Sequence, residues 1–384
     1  MSELTRLADA LNAGARSGTV TVLATVVRTE GSTYRRTGAR MAILADGART
    51  GVVSAGCIEH DLVTRAEGIR LTGVSQVVRY DTRSPDDLVS GFGLGCGGVV
   101  EVLLQPLAPD GAASSASRLL ALANARRPVV LATVIRTSRR ARWRVGDQGV
   151  LAGAEASVDG LDGPFHAHVQ RVARHVLRRA RSVTVCHRWM GETIDVAYEV
   201  IVPRVRLAVC GAGADAVPLV ATAKRLDWYV TLIDDRPALA AKERWPNADR
   251  VLVPPPSDIA ASAAEADCDA AIIMSHNFER DAEFLAGWLA TGARYVGVMG
   301  PRHRTEALIA TLRSRGVSID PDARERIHGP VGLDIGADSP EEIAVAIVAE
   351  VQAVHAGRRG RFLVHRAGAI HTRGGAAPRH FLHQ

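Results

Sequence analysis

Two of the five cysteines lie in glycine-rich segments, which makes them the residues most suggestive of chemistry. Cys57 stands in SAGCIE, and Cys96 stands in GLGCGG, where Gly97 follows it directly. Glycine in such a setting indicates backbone with positive φ, or the close approach of a ligand to the main chain. The five cysteines form neither a zinc-site spacing nor a disulfide framework.

Charged side chains accompany these glycine-rich segments. Arg35 and Arg36 lie in GSTYRRTG, and Glu59 follows Cys57 by two residues. Guanidinium groups bind anions, and positive-φ backbone provides further N–H donors, so the combination predicts a site for an anionic, sulfur-bearing ligand. Cys57 and Glu59 are the candidate catalytic residues of this part of the chain. The candidate binding residues here are Arg35, Cys57, Cys96 and Gly97.

A second group of candidates follows a predicted strand in VRLAVC. Gly211, Gly213 and Ala216 form a G-x-G-x-x-A pattern, and the next predicted strand, WYVTLI, ends in the sequence Asp234, Asp235, Arg236. A strand, a glycine turn, a helix and an acid closing the next strand are typical of dinucleotide binding, in which the acid holds ribose hydroxyls. This favours NAD over NADP, although Arg236 leaves that choice open. Asp215, near the start of the helix, opposes a pyrophosphate there.

Two further candidates follow later strands. The run DAAIIM leads into Ser275, His276 and Asn277, and the run RYVGVMG leads into Pro301 and Arg302. Ligands of open parallel sheets bind beyond the carboxyl ends of the strands, which is where His276 and Arg302 are expected. We therefore predict His276 as a catalytic proton donor or acceptor and Arg302 as a binding residue.

The elements that position the first group are repeated in the sequence. LATVVRT at residues 23–29 resembles LATVIRT at residues 131–137, and the order of the elements that follow is similar in the two copies. We match GVVSAG from Gly51 with GVLAGA from Gly149, and EVLLQP from Glu101 with EVIVP from Glu199. This predicts an internal duplication, in which only the first copy carries the candidate residues.

These patterns predict an α/β protein with a β-rich αβ N-terminal domain, containing the internal duplication, followed by a Rossmann-like parallel α/β domain. The predicted boundaries are 1–204 for the N-terminal domain, with halves at about 1–106 and 125–204, then 205–354 for the second domain and 355–384 for a basic tail.

Composition excludes several classes of protein. The 384 residues carry a net charge of +6, but the tail alone holds six arginines, five histidines and no acid, which leaves 41 basic and 41 acidic residues elsewhere. With 4% aromatic residues, this distribution argues against a nucleic-acid partner. No apolar run approaches the ~18 residues of a membrane span, and the N-terminus is typical of an amphipathic helix, so we expect a cytoplasmic protein with no membrane partner.

Taken together, these segments resemble the XdhC/CoxI family, the accessory and maturation proteins of molybdenum hydroxylases such as xanthine dehydrogenase and carbon monoxide dehydrogenase. The resemblance covers nearly the whole chain to about Val354 and includes RTEGSTYRRTGARM, GVVSAGCIEHD, GLGCGG, DDRP, MSHNFERD and YVGVMGPRHR. It implies binding of the molybdenum cofactor (molybdopterin), support of its protection and sulfuration, and its insertion into an apo molybdenum hydroxylase. The implied partners are that hydroxylase and a cofactor-sulfurating enzyme, and we expect a homodimer.

The resemblance also gives the cysteines a role, because a thiolate of Cys57 or Cys96 is a soft ligand that could contact molybdenum. No separate structural metal site is expected. Two other interpretations stay open at this point: an NAD(P)-dependent oxidoreductase using the Rossmann-like domain, and an interaction protein with a vestigial nucleotide fold. An accessory factor is favoured over an enzyme.

Overall fold

The computed structural model describes residues 3–31, 33–54, 56, 58–81, 83, 98–138, 143–152, 158–159, 161, 163 and 165–367. Of these residues, those up to Pro203 form one compact unit and those from Arg204 onward form another. The two units are described separately below as the N-terminal and the C-terminal unit.

The described part of the N-terminal unit contains four helices and ten strands. The helices are α1 (Glu3–Arg16), α2 (Glu59–Thr72), α3 (Pro109–Ala123) and α4 (His166–Arg179). The strands of the first half are β1 (Thr21–Gly31), β2 (Arg40–Ile43), β3 (Arg49–Gly51), β4 (Gln76–Asp81) and β5 (Gly98–Leu107). Those of the second half are β6 (Val129–Thr137), β7 (Gln148–Ala152), β8 (Val158–Asp159), β9 (Val183–Trp189) and β10 (Glu192–Ile201).

Both halves build the same antiparallel sheet. The first sheet has the order β3-β2-β1-β5-β4, and the second has the equivalent order β8-β7-β6-β10-β9. LATVVRT lies on β1 and LATVIRT on β6, so the two repeated segments occupy the same central position. The predicted internal duplication is therefore present in the fold.

The equivalence extends to single hydrogen bonds. In the first half the Gly38 N–H donates to the Val26 carbonyl at 2.8 Å, and in the second half Gly146 donates to Val134 at the same distance. Both glycines have left-handed φ values, +98° and +101°, which an L side chain rarely adopts. The two hairpins therefore share the same turn geometry.

The duplicated sheets also share an irregularity that contributes to the core. The register of β1 against β5 shifts around Val27, and the register of β6 against β10 shifts around Ile135. Val27 and Ile135 pack together with Leu103 and Ala197 in one buried cluster, which takes one residue from each of the four central strands. A bulge turns a side chain out of its alternating pattern, and here it supplies the contact between the halves.

Two matches made from the sequence are out of register. Gly51 lies on β3, but Gly149 lies on β7, the counterpart of β2. Leu23 pairs with Gln105, whereas Leu131 pairs with Glu199, so the counterpart of Glu199 is Gln105 and not Glu101. Valine-rich strands tolerate a shift of two or four residues without changing which face is apolar, which explains the error.

Helices complete each half. In the first half α2 packs on Val22, Ala24 and Val26 of β1, and in the second half α4 packs on Val130, Ala132 and Val134 of β6. α1 and α3 pack against each other, with Leu11 and Leu119 in their shared core. The sheet core is thus covered by helices whose own apolar residues recur at helical spacing.

The C-terminal unit is a parallel α/β sheet. Its strands are β11 (Arg206–Cys210), β12 (Tyr229–Ile233), β13 (Arg250–Leu252), β14 (Ala270–Ile273), β15 (Tyr295–Val298) and β16 (Ile327–His328). Its helices are α5 (Ala216–Arg225), α6 (Ser262–Ala266), α7 (Phe278–Leu289), α8 (Arg302–Ser314), α9 (Pro321–Glu325) and α10 (Pro340–His355), with short 3₁₀ turns at Lys242–Arg244, Pro256–Asp258 and Leu363–His365.

The six strands have the order β13-β12-β11-β14-β15-β16 and are all parallel. After β11 the chain adds β12 and β13 on one side of that strand, and it then adds β14, β15 and β16 on the other side. The strand order therefore reverses between β11 and β14. Buried clusters lie on both faces, one centred on Trp288 and the other on Trp228. The predicted fold class, a β-rich duplicated N-terminal region followed by a Rossmann-like sheet, is confirmed.

No helix in the described part of the chain is both long enough and apolar enough to cross a membrane.

Candidate functional site

The segment that carries Cys57 is held by Glu59, the first residue of α2. Its carboxylate accepts hydrogen bonds from the N–H groups of Val53 at 3.2 Å, Ser54 at 2.7 Å and Gly56 at 3.1 Å, and from the Ser54 hydroxyl. Cys57 itself lies outside the described residues. Glu59 therefore fixes the backbone immediately before the cysteine.

The surroundings of Glu59 keep it ionised. Burial alone would raise the pKa of this carboxyl, but the hydrogen bonds from the Ser54 hydroxyl and from the backbone N–H groups outweigh burial, so its pKa lies below the ordinary glutamate value. Glu59 is 3% exposed. Such a carboxylate is built to position a turn, and the catalytic role predicted for Glu59 gains no support from this geometry.

The second half carries a weaker version of the same arrangement. Gly163, like Gly56, has a positive φ, and His166 begins α4 as Glu59 begins α2. The His166 Nδ1 contacts the Leu161 carbonyl at 3.0 Å, two residues before Gly163, as Glu59 contacts Ser54 two residues before Gly56. The position of Cys57 is occupied by proline in the second half, so only the first half has a cysteine at this position.

Arg35 lies in the hairpin between β1 and β2. Its guanidinium forms an ion pair with both carboxylate oxygens of Glu3 on α1, at 2.6 and 2.8 Å. The same hairpin lines an open groove of about 420 Å³ that also includes Arg36, Arg40 and Glu199. Cys96 and Gly97 lie outside the described residues.

In the C-terminal unit the glycine turn after β11 behaves as a Rossmann turn. Gly211 has φ +129°, and a side chain there would meet the Met274 carbonyl oxygen at 2.5 Å. Gly213 lies outside the left-handed region, and a side chain there would meet only the Asp215 carboxylate. The first glycine is therefore required by close packing of β11 on β14, and the second lies in a more permissive place.

Asp234, the acid at the end of β12, is already fully hydrogen-bonded. One oxygen accepts from the Arg236 backbone N–H and Nε at 2.9 and 2.8 Å, and the other accepts from the Ala212 N–H and an Arg236 terminal nitrogen, both at 2.7 Å. Burial acts to raise the pKa of Asp234, but the bonds from Arg236 and Ala212 lower it below its ordinary value. A ribose hydroxyl would have to displace one of these donors.

The other predicted binding residues at this edge differ in their surroundings. Asp235 pairs with Arg280 of α7 at 2.8 Å, and Arg302 is the first residue of α8, where it is exposed. Below them the buried Asp281 accepts from the Ser275 N–H at 3.1 Å and from Arg304 at 2.7 Å. This network fixes the turn that follows β14.

That turn presents His276 in a left-handed conformation, φ +60°, which is uncommon for a residue other than glycine. Its neighbours are pinned on both sides, because Ser275 bonds to Asp281 and the Asn277 side chain caps α7 by accepting from the Arg280 N–H. The exposed imidazole reaches across to the Asp215 carboxylate, with Nε2 at 2.7 Å from the oxygen. Since β11 and β14 are neighbours at the reversal of strand order, this pair lies where open α/β sheets bind ligands.

Two family models match this sequence. The model described as the XdhC Rossmann domain matches residues 207–351, and the model described as the XdhC and CoxI family matches residues 15–81. The chain belongs to the XdhC and CoxI family.

Two relatives are similar to this sequence over most of its length. A protein of Bacillus subtilis, named as a probable subunit of xanthine dehydrogenase, is 28% identical over 340 residues, which cover 86% of this chain and 92% of the relative. The molybdenum cofactor insertion chaperone PaoD of Escherichia coli is 25% identical over 344 residues, which cover 88% of this chain and 84% of the relative.

A solved structure resembles this XdhC-type chain over most of its length. The crystal structure of a protein described as a xanthine dehydrogenase from Bacillus halodurans superimposes with a TM-score of 0.71, at 28% sequence identity, covering 94% of this chain and 97% of that one. The order of the two units along the chain is therefore shared with a protein of similar size.

The structure groups the predicted XdhC-family residues into two sets. Gly211, Gly213, Asp234, Asp235, Arg236, His276 and Arg302 all follow the carboxyl ends of strands in the C-terminal unit. Arg35 and Glu59 lie in the N-terminal unit, where Arg35 contacts Glu3 of α1 and Glu59 contacts the residues just before α2, such as Ser54. No three histidine, cysteine, aspartate or glutamate side chains within the described ranges are grouped as metal ligands.

The sequence analysis did not identify three residues that hold the candidate sites in place. Asp281 is the buried partner of Arg304, and Glu199 is the partly buried partner of Arg40. Arg40 itself is 3% exposed, although its residue type is ordinarily found at the surface. The distance between Arg40 and Glu199 along the chain gave no local signal. Asp281 could have been noticed, because it lies on the first turn of a helix that follows the polar strand end Ser275 to Asn277.

Proposed function

We propose that this protein is an insertion factor for the molybdenum cofactor, which it binds as cargo, protects and delivers to an apo molybdenum hydroxylase of the xanthine dehydrogenase type. The observation that carries the proposal is the extended likeness to the PaoD chaperone, together with family membership. The cargo is an anionic pterin with a phosphate and a dithiolene that holds molybdenum. It therefore calls for cationic groups, backbone donors and a soft ligand.

The contacts of Glu59 support this function. Its carboxylate gathers the backbone N–H groups of Val53, Ser54 and Gly56, so these described residues before Cys57 are held in place within the protein itself. Preorganised donors and ligands lose less entropy on binding than mobile ones. In the proposal the Cys57 thiolate contacts molybdenum, and Glu59 is a positioning residue for it.

Sulfuration of the cargo belongs to the same proposal. A cofactor-sulfurating enzyme would act on the bound cofactor before it passes to the hydroxylase, and the factor itself would act as carrier rather than enzyme. The relatives whose names bear on this are a cofactor insertion chaperone and a probable component of xanthine dehydrogenase.

The alternative, an NAD(P)-dependent oxidoreductase, draws on the Rossmann-like sheet and on the His276–Asp215 pair. Against it stands the state of Asp234, whose two oxygens each accept two hydrogen bonds within the protein. In addition, the Asp215 carboxylate lies at the start of α5, where its charge opposes a pyrophosphate. We therefore retain the insertion factor as the proposal.

The experiment is to produce the full chain together with a molybdenum hydroxylase and measure hydroxylase activity, along with the molybdenum and pterin that copurify with the chain. Cys57→Ala should lower retained molybdenum and hydroxylase activation several-fold. Cys186→Ala is the matched control, because Cys186 is an exposed thiol on β9 of the same unit. It should behave as the unmodified protein does.

A different result would favour the oxidoreductase. If the purified chain transfers hydride with NAD, loses this activity in Asp234→Ala, and neither retains the cofactor nor activates the hydroxylase, the proposal is wrong. Equal molybdenum retention in Cys57→Ala and Cys186→Ala would remove the role assigned to the thiol.

A further inference from the structure

The groove in the N-terminal unit is a feature to which the proposed function assigns no ligand. It lies between the β1–β2 hairpin, the start of α1 and the end of β10, and its volume of about 420 Å³ is within the range of small-molecule sites. Tyr34, Arg35, Arg36 and Arg40 line it from the hairpin, and Glu199 lines it from β10. Two of the three guanidinium groups are paired with carboxylates, Arg40 with Glu199 and Arg35 with Glu3, so the lining keeps an excess positive charge at Arg36.

The three arginines differ in how firmly they are held. Arg40 is buried and bonded to Glu199 at 2.6 and 3.1 Å, and it also donates to the Gly38 carbonyl at 2.7 Å, so it forms a fixed floor. Arg35 pairs with Glu3, but both side chains are about one-third exposed, and exposed ion pairs contribute little and exchange readily. Arg36 is exposed and has no carboxylate partner within the described residues.

Tyr34 adds a flat surface to this cationic lining. It is 68% exposed, which is unusual for an aromatic ring that lies beside a groove and packs on no core. Aromatic faces next to arginines stack the rings of nucleobases and similar heterocycles, while the arginines hold the phosphate. The tyrosine ring and the arginines together favour a ligand that carries both an aromatic ring and a phosphate.

The second half shows that this chemistry is not imposed by the fold. Its hairpin makes the same hydrogen bonds, with Arg144 in the place of Arg36, since the carbonyls of both accept from the N–H three residues on. Trp143 replaces Arg35 and packs on Phe165 with ring centroids 4.8 Å apart. Gln148 replaces Arg40. The second half therefore keeps only the counterpart of Arg36, whereas the charges of Arg35 and Arg40 belong to the first half.

We propose that this groove binds a phosphate ester carried on a planar heteroaromatic ring, with the phosphate between Arg36 and Arg35 and the ring against Tyr34. Two sources have this chemistry: a purine mononucleotide and the phosphorylated pterin of the molybdenum cofactor. The proposal does not depend on the insertion function, because a nucleotide satisfies it equally well.

The test is binding of AMP, adenosine, inorganic phosphate and purified molybdenum cofactor to the full chain, measured by calorimetry. Arg36→Ala should weaken AMP or cofactor binding by about tenfold or more, the effect of losing one charge-assisted contact. Arg144→Ala is the matched control, at the equivalent position of the second half, and should leave binding unchanged. Tyr34→Ala should weaken binding, whereas Tyr34→Phe, which keeps the ring, should bind as the unmodified protein does.

The probe that binds shows whether the natural ligand is a nucleotide or the phosphorylated pterin. Binding of AMP, weaker binding of adenosine and of phosphate alone, and dependence on Arg36 would establish a nucleotide site. Binding of the cofactor alone with the same Arg36 dependence would establish a pterin phosphate site. The proposal is overturned if none of the four probes binds, or if every ligand that binds does so equally to Arg36→Ala and Arg144→Ala.

These results separate the groove from the insertion function. If the binding measurements overturn the groove proposal but the chain still activates the hydroxylase, the insertion function remains supported. Arg36-dependent AMP binding by a chain that never retains molybdenum would support the groove and remove the insertion function.

Discussion

The Glu199 carboxylate accepts hydrogen bonds from both terminal nitrogens of Arg40 and thereby joins the two halves of the N-terminal unit. Glu199 packs against Gly38 in the first hairpin, and its counterpart Gln105 packs against Gly146 in the second, donating to the Gly146 carbonyl at 2.9 Å. Each half therefore closes the hairpin of the other. Only one of these reciprocal contacts is charged.

The charged contact leads to a stability prediction. Glu199→Gln leaves the buried Arg40 without its anion, so the free energy of unfolding should fall by about 3 kcal/mol. The double variant Arg40→Gln with Glu199→Gln copies the neutral residues of the second half, Gln148 and Gln105, and should recover much of that loss. Urea denaturation followed by circular dichroism measures both.

Glu30→Gln serves as the control for that pair, because Glu30 bonds to Arg28 at the surface and should cost at most about 1 kcal/mol. An unfolding midpoint for Glu199→Gln that matches the control would mean that the buried pair is dispensable.

Glu59 should contribute stability that depends on pH. Because its pKa in the folded protein is lowered, the contribution is present above the ordinary glutamate pKa of 4.5 and disappears as the pH falls through the lower folded value. At pH 7, Glu59→Gln should therefore be less stable than the unmodified protein by about 2 kcal/mol. The difference should shrink as the pH falls below 4.5, measured by urea denaturation across that range. A difference that is constant with pH would contradict this origin.

His187 predicts a second loss of stability on acidification, because folding favours the deprotonated form of this group as it does of Glu59. It is buried, its Nε2 lies 2.9 Å from the Tyr198 hydroxyl, and burial followed by the nearby His168 lowers its pKa from 6.5 to about 4. The folded state thus prefers the neutral ring, so stability is full above pH 6.5 and falls between pH 6.5 and 4, by up to about 3 kcal/mol. His187→Gln should flatten this part of the stability curve.

Nuclear magnetic resonance titration gives an independent measurement of His187. Its ring signals should stay in the neutral position at a pH of about 5.5, where the imidazole of an unfolded chain is already largely protonated. Titration of His187 near pH 6.5 would refute the prediction.

The two glycines of the turn after β11 should respond differently to the same change. Gly211→Ala forces a left-handed φ on alanine and drives its methyl into the Met274 carbonyl, so we expect a loss of more than about 2 kcal/mol in the free energy of unfolding. Gly213→Ala meets only the movable Asp215 side chain and should cost less than about 1 kcal/mol. Its effect should appear instead in the ring signals of His276, the partner of Asp215. Equal destabilisation by the two variants would contradict the geometry.

The sequence predicts the strands and helices of this fold better than it predicts the register in which the strands pair. The parallel sheet follows from strand, glycine turn and helix in a short stretch, and the duplication follows from LATVVRT and LATVIRT. The register between strands is decided by contacts such as Leu23 with Gln105 and Leu131 with Glu199, which join distant parts of the chain. Alternating valines cannot report such contacts.

At the candidate sites, too, contacts between residues close in sequence are easier to predict than contacts between distant residues. The interaction of Glu59 with Ser54 and Gly56 is local, and the structure adds a supporting contact that the sequence analysis did not predict. The catalytic role of Glu59 stays a prediction. Asp234 was expected to hold a ligand, yet Arg236, only two residues away, satisfies it. The contact of His276 with Asp215 spans 61 residues and depends on the packing of β11 beside β14.

The reciprocal hairpin contacts have a consequence for how the N-terminal unit could change over time. Two equal halves that each complete the other have the geometry of a two-fold symmetric dimer, here joined covalently into one polypeptide. In a dimer of identical chains, every substitution appears twice. In the fused form, one copy could adopt Gln148 and Trp143 while the other kept Arg40 and Arg35. Fusion therefore permits a single charged groove where symmetry would have enforced two.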